Sequence, residues 1–196
     1  MKKIICILLL LKLSSTWLYS QEQNEGDNTS GFRTKYIFLD PFPAFHNILQ
    51  LGYERIFMDA SKSILISVGV LVRGYNSDIE KGFSDELQFR FYLNDLRNPG
   101  QGNKLKYAFH FSPFFAHRYI DARSYMTYDY SNSVSAGIIS GMKGTYGHFV
   151  FDIYLGGGFK KSFTNKDNPV FESKDIFDDN FTGIRPKIGL LLGFCF

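Results

Sequence analysis

Large apolar residues alternate with small or polar ones along most of this chain. Ile64, Ile66, Val68, Val70 and Val72 take one phase, with Ser67, Gly69 and Arg73 in the other. Further on, Leu87, Phe89, Phe91 and Leu93 alternate with Glu86, Gln88, Arg90 and Tyr92. Leu105, Tyr107, Phe109, Phe111 and Phe115 do so with Lys106, Ala108, His110 and Ser112. Phe149, Phe151, Ile153, Leu155 and Phe159 are set against Asp152, Tyr154, Gly156, Gly158 and Lys160. A period of two marks strands whose two faces meet different surroundings. Thr34–Ala44, Asn47–Met58, Ser133–Lys143 and Lys187–Phe196 bring the predicted strands to eight. Pro41 and Pro43 suit the end of the first, and the glycine-rich Ser133–Lys143 leaves its facing ambiguous. Arg55 falls in the apolar phase of its strand, close to a turn at Asp59. Either it snorkels toward a polar boundary or a bulge shifts the phase there.

Long polar segments follow the third, fifth and seventh strands (Gly74–Asp85, Tyr119–Asn132, Thr164–Gly183). Tight turns follow the second and sixth (Asp59–Ser63, Gly144–Gly147). An up-and-down barrel with long loops at one end and short turns at the other has this rhythm. Two connections depart from it: the one after the first strand is short, and Asn94–Asn103 is long for a turn.

Composition fits an all-β domain. Phe and Tyr supply nearly all the aromatics, and no apolar run after residue 21 reaches the ~20 residues of a membrane helix. The N-terminus reads differently. Lys2 and Lys3 precede the apolar run Ile4–Leu11, and a serine-containing stretch leads to Gln21. That is the layout of a secretory signal peptide, expected over 1–20, followed by a disordered polar lead-in over 21–31 and the barrel domain over 32–196. Cys6 lies ahead of the apolar run, where it cannot serve for lipid attachment, so Cys195 is the one cysteine left and no disulfide is expected. Lys2, Lys3 and Lys12 account for the whole excess of 22 basic over 19 acidic residues. The remainder is formally neutral, which removes the case for nucleic acid.

Alternation alone does not say which face is inside. Glu54, Arg73, Glu86, Arg90, Asp152, Lys160 and Lys187 all share the phase opposite the large apolar residues. An eight-stranded interior is just wide enough for side chains to fill, and it has no room for so many Phe, Tyr and branched residues. The expected arrangement is therefore a transmembrane barrel, with charges paired in the lumen and aromatics toward lipid.

Two sets of residues carry a resemblance. Lys187, Gly189, Leu192, Phe194 and the terminal Phe196 resemble the C-terminal assembly signal of bacterial outer-membrane barrels. Asp40-Pro41-Phe42, Gly52-Tyr53-Glu54-Arg55, and Glu86 with Arg90-Phe91-Tyr92-Leu93 are similar to a family of small outer-membrane barrels related to the OmpA and OmpX membrane domains. The resemblance implies an eight-stranded antiparallel barrel in the outer membrane of a Gram-negative cell. Outer-membrane lipids and the barrel-assembly machinery are its implied partners, and charged residues fill its lumen. The expected role is non-enzymatic, in envelope integrity or surface recognition, with a narrow solute channel as the alternative.

Chemistry adds little. His110-Phe111-Ser112 resembles the His-x-Ser of outer-membrane lipid A deacylases, and both side chains share a strand face. A serine nucleophile also needs an orienting acid, for which Asp152 or Glu172 could serve. Pro113 stands where the deacylase asparagine would follow, and the pair has the inward phase, so a lumen histidine bonded to a hydroxyl is expected instead. The four histidines are scattered, and no metal or cofactor is expected. Gly156-Gly157-Gly158 follows no strand-to-helix unit and predicts a bend or close backbone approach rather than a phosphate loop. Tyr119, Arg123, Tyr125, Tyr128 and Tyr130 form the candidate recognition surface of an external loop.

Overall fold

The computed structural model describes residues 33–41, 48–57, 60–75, 78–94, 105–123, 128–164 and 181–196. Eight strands run β1 (Lys35–Asp40), β2 (Ile48–Ile56), β3 (Lys62–Tyr75), β4 (Asp78–Tyr92), β5 (Lys106–Arg123), β6 (Tyr128–Tyr146), β7 (Phe149–Thr164) and β8 (Gly183–Cys195). Each pairs antiparallel with the next and β8 pairs with β1, closing an all-β barrel. The register fixes its shape. From Phe38 it passes through Gly52, Ser67, Glu86, Ala116, Ser135 and Lys160 to Gly183 on β8, ten residues from Gly193, the partner of Phe38 across the closing seam. A stagger of this size goes with strands tilted by roughly 40° to the axis.

Alternation sorts the side chains as the sequence predicts, with the usual soluble arrangement inverted. Phe194 is 64% exposed on the outer wall, whereas Arg90 is 1% exposed in the lumen. Outward positions on β7 are apolar or glycine from Phe149 to Phe159, and Lys161 follows them. At ~3.3 Å per residue and the barrel tilt, that band is about 25 Å tall. Polar groups bound it at both ends. At one end, His117 bridges Asp85 (3.0 Å) and Asn132 (2.9 Å) on the outer face. At the other stand Lys35, Arg55 and Lys62. Arg55 pairs in unbroken register with Lys35 and Ile64, so β2 has no bulge there.

Several loop expectations need correction. Gly74–Asp85 is mostly strand, with only 76–77 separating β3 from β4. Tyr119–Asn132 is likewise mostly strand, and β5 and β6 are joined by 124–127. Beyond the apolar band both faces meet polar surroundings, so alternation fades while the ladder continues. Gly144 lies in β6, and the reversal falls at Gly147–His148, where Gly147 has φ +60°. Glycine at the first central position suits the tight turn that the twist of a hairpin favours. Residues 1–32, which hold the expected signal peptide and lead-in, lie outside the described residues, as do 165–180 of the third expected loop.

One proline and one glycine shape the wall. Pro113 sits inside β5, and the β4–β5 ladder passes from Gln88↔Phe114 to Phe91↔Phe111 with the same register on both sides. Pro113 has no N–H to donate, which interrupts the ladder without a bulge. Gly189 lies directly opposite Tyr154, whose ring occupies the space a Cβ would need. That ring carries a hydroxyl donating to Asp40 Oδ2 at 3.4 Å. Gly189→Val is therefore expected to expel the ring and destabilise the barrel by about 1–3 kcal/mol. Thermal unfolding in detergent, compared with wild type, measures the shift.

Candidate functional site

The lumen is where the strands bring charge together. Glu54 on β2 and Lys143 on β6 stand on opposite walls, four strands apart in a ring of eight, yet their side chains touch. Arg90 on β4 contacts Asp152 on β7 and reaches Glu54 at 3.3 Å. All four side chains are fully removed from solvent. Two cations thus face two anions across the full width of the barrel.

Neutral donors and acceptors complete the cluster. Ser63 donates to Glu54 Oε1, as does the Tyr92 hydroxyl at 2.5 Å. Arg90 Nε donates to Gln88 Oε1 at 2.9 Å. His110 bonds Asp152 Oδ1 through Nε2 (3.0 Å) and Ser112 Oγ through Nδ1 (2.8 Å). Lys143 also lies over the Tyr36 ring, 4.2 Å from its centroid. Buried charges need this density of partners, because desolvation otherwise outweighs their attraction. Among the described residues only Arg90 Nη2 in this cluster has no hydrogen-bond partner.

A second group lies nearer the hairpin end. Gln88 Nε2 donates to Glu86 Oε1 (2.7 Å), and Lys187 Nζ pairs with the same carboxylate at 2.5 Å. Lys187 is 4.0 Å from the Phe114 ring centroid. Glu86, Phe114 and Lys187 help line a cavity of about 350 Å³ with Asp40, Gln50, Arg118, Tyr154, Lys160 and Arg185. Glu54, Arg90, Lys143 and Asp152 do not line it; they lie toward the short-turn end.

Of the seven charged residues proposed from sequence, Glu54, Arg90 and Asp152 come together, and Glu86 joins Lys187. Lys160 is buried against the cavity. Arg73 lies in β3, but its side chain falls outside those described. Lys143 was missed, since its strand gave no clear facing. Within the terminal motif, Gly189 faces the lumen, while Leu192, Phe194 and Phe196 face outward. Tyr119 and Tyr130 are strand residues rather than loop residues, and Tyr119 packs 5.8 Å from Phe83. Tyr125 and the side chains of Arg123 and Tyr128 lie outside the described residues.

Ser112, His110 and Asp152 do form a hydrogen-bonded chain, but they make a poor nucleophile. Ser112 and Asp152 have no exposed surface, so no substrate reaches the hydroxyl. Asp152 is shared with Arg90, and serine and acid occupy the opposite ring nitrogens from those of a working triad. The three are bonded into the buried charged cluster.

Replacing Arg90 with Met would leave Glu54 and Asp152 short of positive charge in a closed interior. A loss of about 3–5 kcal/mol is expected for Arg90→Met. Adding Asp152→Leu should recover part of it, and urea unfolding of folded barrels in detergent gives both values.

No family model matches the sequence, and no curated protein matches it. Two solved structures are similar in fold. Ail, the attachment invasion locus protein of Yersinia pestis, superposes with a TM-score of 0.42 at 12% identity, covering 84% of this chain and 100% of its own. A major outer membrane protein from Thermus thermophilus gives a TM-score of 0.44 at 12% identity, with the same coverages.

Proposed function

We propose that this chain is a non-enzymatic outer-membrane barrel that supports envelope integrity or surface recognition and conducts no solute. One observation carries it: a closed barrel buries its charges and turns its large apolar side chains outward in a band about as tall as a bilayer's hydrocarbon core. Such a surface is stable only against lipid or detergent. Closure suits that setting, because backbone groups in hydrocarbon must all be bonded within the protein. The signal-peptide layout read over 1–20 and the spacing of Gly189, Leu192 and Phe194 on β8 fit export and insertion by the barrel-assembly machinery.

The buried charged cluster argues against the channel alternative. Glu54 and Lys143 meet across the lumen, and Arg90, His110, Ser112 and Asp152 around them are each at most 2% exposed. Recognition then belongs to the hairpins that rise beyond the apolar band, where the β5–β6 pair extends to Arg123↔Tyr128.

The protein is expected in the outer-membrane fraction and, in detergent, to migrate differently before and after boiling. A water-soluble product without that shift would sink the proposal. Planar-bilayer recordings of the wild type are expected to show no steady current, whereas reproducible conductance would favour a solute path.

A further inference from the structure

The cavity in the lumen nearer the hairpin end differs from the charged cluster because solvent reaches its wall. The Lys187 and Glu86 side chains are 21% and 10% exposed there, whereas those of Glu54, Arg90, Lys143 and Asp152 are at 0%. Its volume of about 350 Å³ falls within the range of small-molecule sites.

Charge on this wall is unbalanced. Arg118, Lys160, Arg185 and Lys187 line the cavity, against Asp40, Asp85 and Glu86. The three carboxylates are already held. Tyr154 donates to Asp40 at 3.4 Å, His117 bonds Asp85 at 3.0 Å on the outer face, and Lys187 pairs with Glu86. Register gathers the other cations on one side of the lumen. Arg118 on β5 is directly opposite Ser133 on β6, Lys160 on β7 is opposite Ser135, and Arg185 on β8 is opposite Gly158. With strands ~4.8 Å apart, the arc from β5 to β8 covers about 14 Å of wall. Arg118, Lys160 and Arg185 also interact within the protein. Five N–H donors on a guanidinium and three on an ammonium admit a further acceptor beside those contacts.

An independent feature on β4 points to the same place. Ser84 lines the cavity, and its Oγ is buried without a hydrogen-bond partner. The residue directly opposite Ser84 on β5 is Arg118. An unbonded buried hydroxyl is costly, and an anionic oxygen set between Ser84 and Arg118 satisfies it. Phe114, Ala116, Pro186 and Ile188 contribute apolar lining, which suits a ligand with an organic body.

We propose that this cavity binds a small organic phosphate entering from the hairpin end. Ser84, Arg118 and Lys160 hold the phosphate oxygens, and the organic body packs against Phe114 and Ala116. A tetrahedral dianion presents acceptors to donors on several strands at once, which a flat carboxylate does less well. The site deepens the surface-recognition reading above and rests on it. The buried cluster toward the short-turn end makes it a blind chamber rather than a stage of a channel.

Isothermal titration calorimetry of the folded barrel in a maltoside detergent tests the site, with phenyl phosphate, inorganic phosphate and phenol as probes. Wild type is expected to bind a single phenyl phosphate, about tenfold or more tighter than either other probe. A charge-assisted hydrogen bond contributes about tenfold in affinity, so Arg118→Gln/Lys160→Gln should weaken phenyl phosphate by about 100-fold. Ala116→Phe fills the cavity without changing its charge and should abolish binding. Lys81→Gln/Lys161→Gln, on the outer wall, should leave it unchanged. No binding of phenyl phosphate by wild type overturns the site, as does equal binding by wild type and the cavity variants. Inorganic phosphate binding as tightly as phenyl phosphate overturns the organic ligand, and phenol binding as tightly overturns the phosphate. The boiling shift on the same samples reports folding, and if one cavity variant does not shift, the other decides. A shifting wild-type barrel that binds no probe defeats only this inference, whereas a missing shift defeats the reading beneath it.

Discussion

The contact between Glu54 and Lys143 is the constraint on which the interior depends. These residues come from opposite walls, so their contact spans the lumen at that height. Neither ion could be buried alone. Lys143 needs the carboxylate, the carboxylate needs Ser63, Tyr92 and Arg90 for its remaining lone pairs, and Arg90 in turn needs Asp152. Such a cluster specifies position more than it stabilises, because an apolar filling of the same shape could be equally stable.

The outside obeys a simpler rule. Apolar side chains on the outer phase need only face hydrocarbon, so Leu, Ile, Val and Phe interchange there with little demand for interlocking shape. Inside, space is scarce, and glycines are placed where a neighbouring ring fills the gap, as Tyr154 does over Gly189. Buried charges within and bulky apolar residues without are the reverse of a soluble domain of this length.

The fold was largely legible because alternation is strongest where the two environments differ most. β3, β4, β5 and β7 cross the apolar band with polar residues on the other phase, and their facing could be read directly. β6 could not, since Gly137, Gly141 and Gly144 fall on both phases and dilute the contrast around Lys143. The hairpin extensions were hidden for a related reason: outside the band, Tyr119 and Asn132 sit in a ladder whose two faces are both polar. Pairing across the lumen was beyond reach. Phase puts Glu54 inside, but only register and curvature bring Lys143 to it.

The seam between β1 and β8 is short, running from Tyr36↔Cys195 to Leu39↔Leu192, whereas β5 and β6 pair along their whole length. It joins the first strand to the last, so it is the most non-local contact in the molecule. Every other ladder can form between neighbours in sequence; this one must wait for all of them and meet the full entropy of closing the chain. An open form of the sheet would expose two unpaired edges, and only the four residue pairs of this seam remove them.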